Sequence, residues 1–325
     1  MFRDEHKTTL YMSANSFKTI ADEWITSEKA ELKASSIARY NNILDLYLIP
    51  AFGNQPVETI CRHDISTFSR DLLNKDTGNA HSLAPKTVNS ILAIIKSILK
   101  FASREKNLNV VDIKDISVKQ PQKPSRILST AEQQHLVMYL RDNLNPCNLG
   151  ILICLFTGLR IGEICTLKWE DVSFEEQSIY VHQSMQRVQV NGKEKKTEII
   201  VSSPKSTCSI RRIPIPNELM SLLICNKKSE KSYLITGEDN KYIEPRCMEN
   251  KFKSVALACG IKDIKFHSLR HTFATRCVEL GFDAKSLSEI LGHATVNITL
   301  NRYVHPSMEQ KQKNMNMLSA LFTCN

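Results

Sequence analysis

The sequence predicts a mainly α protein with a small antiparallel β-sheet, split into an N-terminal helical domain and a larger α+β domain. Three observations carry this. Residues 13–110 repeat apolar side chains at helical spacing. Alternating Val- and Ile-rich stretches are confined to 178–215. Between the two, Ser117 to Arg126 holds two prolines and three basic residues with almost nothing apolar, the mark of an extended linker.

Four helices are expected before the linker. Phe17, Ile20, Ala21, Trp24 and Ile25 follow the i, i+3, i+4, i+7, i+8 pattern of one buried face. Ile37, Tyr40, Leu44, Tyr47 and Leu48 repeat it, and Pro50 is expected to stop that helix. Ile65, Phe68 and Leu72 mark a shorter third. The fourth begins near Pro85, a good first-turn residue, and turns Val88, Ile91, Ile95, Ile98 and Leu99 inward. Its other faces carry Lys86, Lys96, Lys100 and Arg104.

After the linker, Ser129 and Glu132 have the spacing of a capping box. An apolar helix follows, then a tight turn at Thr157-Gly158 and a second helix carrying Arg160. Residues 178–190 and 197–203 read as strands joined at Asn191-Gly192, and 210–215 as a third strand with Lys205 in the turn before it. Ser268 is the expected cap of a helix with Leu269, Phe273, Cys277 and Leu280 on one face, ended by Gly281. Asp283 caps the next helix, which Gly292 ends. His293 stands just past that helix C-terminus, where protonation is expected to be favoured.

The chain has 325 residues and a net charge of +9. Residues 1–120 contribute +2 and the remainder +7, so the basic excess lies in the second domain, a distribution compatible with a polyanionic partner there. Ten cysteines are irregularly spaced with no C-x-x-C pair, which excludes a disulfide scaffold and a zinc site and points to a reduced, cytoplasmic protein. No apolar run is long enough for a membrane span, and no signal-peptide core precedes the first helix.

The chemistry lies in a series of short motifs. Thr157-Gly158-Leu159-Arg160-Ile161-Gly162-Glu163 is followed by Lys205 and by Ser209-Ile210-Arg211. His267-Ser268-Leu269-Arg270-His271 comes next, then Leu291-Gly292-His293, and Tyr303 ten residues later. A guanidinium is planar, always charged and forked, so it holds two phosphate oxygens at once. Arginines, histidines and a tyrosine together make a phosphodiester-cutting site that needs no metal. Alone, each residue has a duller reading: Tyr303 as packing, His293 as a helix-end polar group, Lys205 as a solvated turn lysine. Their joint order overrides it.

In that order the chain resembles the tyrosine recombinases, the phage and transposon integrase family, over roughly residues 12–320. Arg160 with Glu163, Lys205, His267, Arg270, His293 and Tyr303 each match a family motif without departure, and His305 completes a Y-x-H. The resemblance implies a helical, SAM-like DNA clamp over 12–116 and a basic linker over 117–126. It implies a catalytic tyrosine recombinase domain over 127–305 and a tail over 306–325 that serves subunit exchange. Met315, Leu318 and Phe322 recur along that tail at helical spacing. Implied DNA contacts are Lys86, Lys96, Lys100, Arg104, Lys119, Lys123, Arg126, Arg211 and Arg212.

By the same resemblance, Tyr303 attacks the scissile phosphate and a 5′-hydroxyl leaves. A second 5′-hydroxyl then reverses the step on a new partner. Bond energy is kept in the covalent intermediate, so no cofactor is implied. Arg160 and Arg270 stabilise the pentavalent phosphate, Lys205 protonates the leaving oxygen, and His293 donates to a non-bridging oxygen. His267 binds the phosphate or takes the tyrosine proton. Glu163, His271 and His305 support these groups. Implied partners are duplex recombination sites, further copies of the chain up to a synaptic tetramer, and accessory DNA-bending or directionality factors. Three other readings stand beside it: a non-catalytic DNA-binding protein of the same fold, a type IB topoisomerase, and a Xer-type chromosome resolvase.

Overall fold

A computed structural model describes residues 15–30, 32–74, 82–121, 126–189, 197–203, 207–304 and 308–318. Lys123, Lys205, His305, Phe322, the first twelve residues and the 191–196 turn lie outside them. The chain divides into two compact units. One comprises residues 1–123 together with 188–198, the other 124–187 together with 199–325.

The first unit is built on α1 (Phe17–Glu28), α2 (Ala34–Ile43), α3 (Ile49–Phe52), α4 (Arg62–Leu73) and α5 (Pro85–Glu105). The inward residues expected for α1 are all buried. In α5 the buried face is a wider stripe, adding Leu92, Ile94 and Ala102 to the expected five. Burying each such side chain contributes about 1.5–3 kcal/mol against the entropy of ordering it.

Pro50 does not stop the second helix. A π-helical turn over Leu44–Leu48 joins α2 to α3, and Pro50 falls in the first turn of α3. Pro50 has no N–H to give the preceding turn, and the π-helical turn is where the ladder shifts ahead of it.

The second unit contains α6 (Thr130–Asp142), α7 (Pro146–Thr157) and α8 (Ile161–Ile164), then strands β1 (Val172–Ser173) and β2 (Ser178–Val181), most of β3 (Ser184–Gln189) and β4 (Thr197–Ser202), and β5 (Arg211–Pro214). Helices α9 (Asn217–Cys225), α10 (Pro245–Ala258), α11 (His267–Glu279), α12 (Ala284–Leu291), α13 (Val296–Tyr303) and α14 (Met308–Met317) follow. The capping box forms, with Glu132 N–H donating to Ser129 Oγ at 3.1 Å and Ser129 N–H to Glu132 Oε2 at 2.8 Å.

The expected strand over 178–190 is two strands. β2 lies between β1 and β5 in an antiparallel sheet, with Tyr180 opposite Arg212, whereas β3 pairs with β4 in a separate ribbon. Residues 182–183 form the break between the two ladders.

α11 begins two residues earlier than expected. Phe266 occupies the cap position with helical dihedrals, its ring packed edge-on against Phe252 at 5.5 Å, and Ser268 is buried inside the first turn. An apolar anchor fixes this helix start where a polar cap was expected. Leu280, expected inward, is the C-terminal cap of that helix and is 77% exposed.

Candidate active site

Three guanidinium groups converge on the C-terminus of α12. A helix end leaves carbonyls without intrahelical partners and carries partial negative charge. Arg211 donates from Nε to Ile290 O at 2.6 Å, Arg270 from Nη2 to Leu291 O at 2.7 Å, and Arg160 from Nη2 to Gly292 O at 3.0 Å. Three successive carbonyls thus each hold one arginine.

Arg160 does not lie within a helix. It is the extended residue that precedes α8, and its side chain is 35% exposed. Glu163, 2% exposed, receives it. The Glu163 carboxylate accepts from Arg160 Nη1 at 2.7 Å, the Arg160 backbone N–H at 2.9 Å, and Arg211 Nη2 at 3.0 Å. Burial alone raises the Glu163 pKa. The Arg211 hydrogen bonds, with the Arg211 and Arg160 charges, outweigh it and hold the carboxyl below its usual range.

Arg211 was expected at the DNA surface and is not there. Its side chain is 6% exposed and committed to Glu163, Ile290 and Ser209. A buried carboxylate demands such a partner, and sequence spacing does not reveal which arginine supplies it.

Arg270 is buried and also donates from Nη1 to Gly158 O at 2.8 Å. Burial, with the neighbouring Arg160 charge, lowers its pKa to about 9, so it stays protonated at neutral pH. A guanidinium has five N–H donors, so these two bonds fix its plane without exhausting it.

Two glycines make this convergence possible. Gly158 (φ 67°) and Gly292 (φ 64°) end α7 and α12 in the left-handed conformation. A Cβ on Gly158 would lie 2.6 Å from the Phe273 ring and 2.8 Å from Leu291, and one on Gly292 would lie 3.0 Å from Arg211 Nη1.

Tyr303 is the last residue of α13 and 9% exposed. Its ring lies parallel to that of His293, centroids 6.4 Å apart, and His293 Nδ1 is 2.8 Å from Thr299 Oγ1. Burial raises the phenol pKa; the charges of Arg270, Arg302 and Arg160 pull it down but do not cancel the rise. His271, expected as a supporting residue, reaches the phenol itself, with Nδ1 2.8 Å from Tyr303 Oη. His267 stands at the exposed rim, its ring edge-on to His271 at 4.5 Å.

Burial first, then neighbouring groups, lower the pKa of His271 and His293 to about 4 each, and the more exposed His267 is shifted the same way by partial desolvation and then by the Arg270, Arg302 and Arg160 charges. The expectation that the helix end favours protonated His293 is therefore reversed. Three arginines already occupy that helix end and repel another positive charge. At neutral pH all three rings are uncharged.

Arg302 was missed in the sequence. Its Nη2 lies 3.2 Å from His271 Nε2, and its place beside Tyr303 was the one available signal.

Of the expected DNA contacts, Arg211 belongs to this cluster and the other described ones have their own surroundings. Lys86, Lys100, Arg104 and Lys119 are exposed. Lys96 donates to the Lys114 and Ile116 carbonyls at 3.0 and 2.7 Å, which clips its own unit together. Lys96, Lys100, Arg104 and Lys114 line a cavity of about 510 Å³ in the helical unit, none of whose lining residues belongs to the Tyr303 cluster. Arg126 pairs with Glu132 at 2.7 Å, and Arg212 pairs with Glu176. Among the described residues no group of His, Cys, Asp or Glu is placed to hold a metal ion, and no helix is long and apolar enough to cross a membrane.

A model of the phage integrase family matches residues 120–310, and one of the phage integrase N-terminal SAM-like domain matches residues 16–73. The chain belongs to the phage integrase family. It is a tyrosine-type site-specific DNA recombinase. The tyrosine recombinase XerC-like protein of Caldanaerobacter subterraneus is 32% identical over 189 residues, which span 53% of this chain and 48% of that relative. The ICEBs1 integrase of Bacillus subtilis is 24% identical over 92% of this chain and 81% of its own length. The integrase fold extends to the Tn1549 transposon integrase solved with circular intermediate DNA (TM-score 0.74, 21% identity, 93% of this chain and 99% of that one). A lambda integrase tetramer solved on a Holliday junction is similar at TM-score 0.62, with 14% identity over 90% of this chain and 79% of that one.

Proposed function

We propose that this recombinase integrates and excises a mobile element, cutting and rejoining duplex DNA through a 3′-phosphotyrosine link on Tyr303. One observation carries the assignment. The Tyr303 hydroxyl is buried in the field of Arg160, Arg270 and Arg302, where a phosphate would meet positive charge from several directions. A phenol of pKa ~10 is a poor nucleophile at neutral pH, and an incoming phosphate brings the arginines into play only as charge develops on it.

Arg160 and Arg270 stabilise the pentavalent phosphate, and Glu163 fixes the Arg160 plane. His293 donates to a non-bridging oxygen. His267, at the rim, binds the phosphate or takes the phenol proton. Lys205 protonates the departing 5′ oxygen, and His305 supports the tyrosine. Residues 12–116 grip DNA, 117–126 link, and 127–305 carry the chemistry. The tail over 306–325 docks on another copy of the chain within a synaptic tetramer. Met308, Met315 and Met317 of α14, each more than 60% exposed, favour that use of the tail.

The test is a nicked duplex carrying the DNA that flanks the chain's own gene, which traps the covalent intermediate by losing the short 5′ fragment. The expected result is a protein–DNA adduct on a denaturing gel, absent in Tyr303→Phe although DNA binding persists. An adduct of undiminished yield from Tyr303→Phe would falsify the nucleophile assignment.

A further inference from the structure

We infer that His271 is a hydrogen-bond donor to the attacking oxygen of Tyr303, held in that role by Arg302. The inference rests on the reading of Tyr303 as nucleophile, and it separates His271 from the usual histidine role of proton acceptor.

The argument is one of tautomers. A neutral imidazole has one N–H donor and one lone-pair acceptor, while a guanidinium has donors only. Arg302 Nη2 lies 3.2 Å from His271 Nε2, so Nε2 is the acceptor. The ring proton is then on Nδ1, 2.8 Å from Tyr303 Oη, and the phenol oxygen accepts from it. The alternative, an imidazolium with both nitrogens protonated, would set N–H against N–H. Burial of the ring first, then the neighbouring His267 and the Arg302 and Arg270 charges, also oppose it by lowering its pKa. His271 is thus a neutral donor that Arg302 keeps from turning its lone pair toward the phenol.

A donor on Oη favours negative charge there. In cleavage the Tyr303 O–H bond breaks, the Oη–P bond forms and the P–O5′ bond breaks. The phenol proton goes to His267 or solvent, and the 5′ oxygen gains one proton. In rejoining, the phenolate is the leaving group and the same Nδ1–H receives its charge. One fixed donor therefore serves both directions of a reversible reaction.

Two measurements on the full chain test this. Nitrogen-15 shifts of the histidine rings read the tautomer directly, the His271 signals being identified by their loss in His271→Asn. The expected state is Nδ1–H with an unprotonated Nε2, shifting toward the other tautomer in Arg302→Met. Single-turnover cleavage of the nicked duplex then compares variants. His271→Ala loses about 10²-fold, the scale of one lost transition-state donor. His271→Asn places a neutral amide donor near the Nδ1 position, with no base, and recovers to within about tenfold of the native rate. Arg302→Met loses about tenfold and Arg302→Lys, which keeps a donor, restores most of it. An Nε2–H tautomer in the native protein overturns the inference, as does a folded, DNA-binding His271→Asn as slow as His271→Ala. Neither outcome touches the adduct test on Tyr303→Phe, so failure of the tautomer and failure of the nucleophile are told apart.

Discussion

Glu163 carries a charge that the protein interior accepts only because Arg211 and Arg160 meet it. Removing one member of a buried pair leaves the other uncompensated. Glu163→Gln should therefore lower the urea stability of the second unit by about 3 kcal/mol, and a change under about 0.5 kcal/mol would show the pair to be energetically neutral. Arg160→Ala and Arg270→Ala should each slow single-turnover cleavage at least ~10²-fold while DNA binding survives. A cut below tenfold would remove that arginine from the transition state.

The depressed histidines also set a pH dependence. Unfolded, each ring protonates near pH ~6.5. Folded, His271 and His293 wait until about 4, and His267 is shifted the same way. The unfolded chain thus binds protons first, so stability is full above pH ~6.5 and falls as pH drops toward 4. Glu163, with its lowered pKa, adds to the loss at the acid end of that window. Urea midpoints at pH 7.5 and pH 5 should differ in this direction, and His271→Asn should narrow the gap.

The end of α12 organises this site. Its three carbonyls fix three arginines, and the left-handed glycines at 158 and 292 let the chain pass close enough for that. Gly281 also has positive φ, but open space around it. An alanine at 281 should cost about 1 kcal/mol of backbone strain and leave cleavage intact. Alanine at 158 or 292 adds a steric conflict with Phe273 or Arg211, so it should cost more stability and slow cleavage as well. Equal effects at all three positions would contradict this account of the motif glycines.

What was legible in the sequence at this scale was local. The spacing of Phe17 to Ile25, the Ser129–Glu132 box and the Asp283 cap depend on residues within a few positions, and all three form. What was not legible depends on distant parts of the chain. Arg211 finds Glu163 across 48 positions, and His271 finds Tyr303 across 32. The π-helical turn before Pro50 was illegible for another reason: proline forbids an N–H bond at its own position but does not dictate how the ladder behind it shifts. The order of motifs marked nearly every residue of the cluster, yet not which arginine faces solvent or which histidine touches the phenol.

For the whole molecule, exposed cations and buried ones have different work. Lys86, Lys100, Arg104 and Lys119 are exposed on the helical unit, whereas Lys96 is tied to two carbonyls of that unit. Phosphate contacts release counterions, so log affinity should fall linearly with log salt, by about 0.9 per contact. Replacing the four exposed residues with Gln should flatten that slope for specific and random DNA alike, since such contacts carry no sequence information directly. Lys96→Gln should instead lower stability more than it changes the slope. An unchanged slope in the fourfold variant would place the DNA surface elsewhere.

The central claim is that Tyr303 makes the covalent bond to DNA within the arginine and histidine cluster. Its most direct measurement is mass spectrometry of the trapped adduct after nuclease and protease digestion. The predicted result is a nucleotide joined through its 3′ phosphate to the peptide containing Tyr303. A nucleotide on any other residue, or a link through a 5′ phosphate, would contradict it.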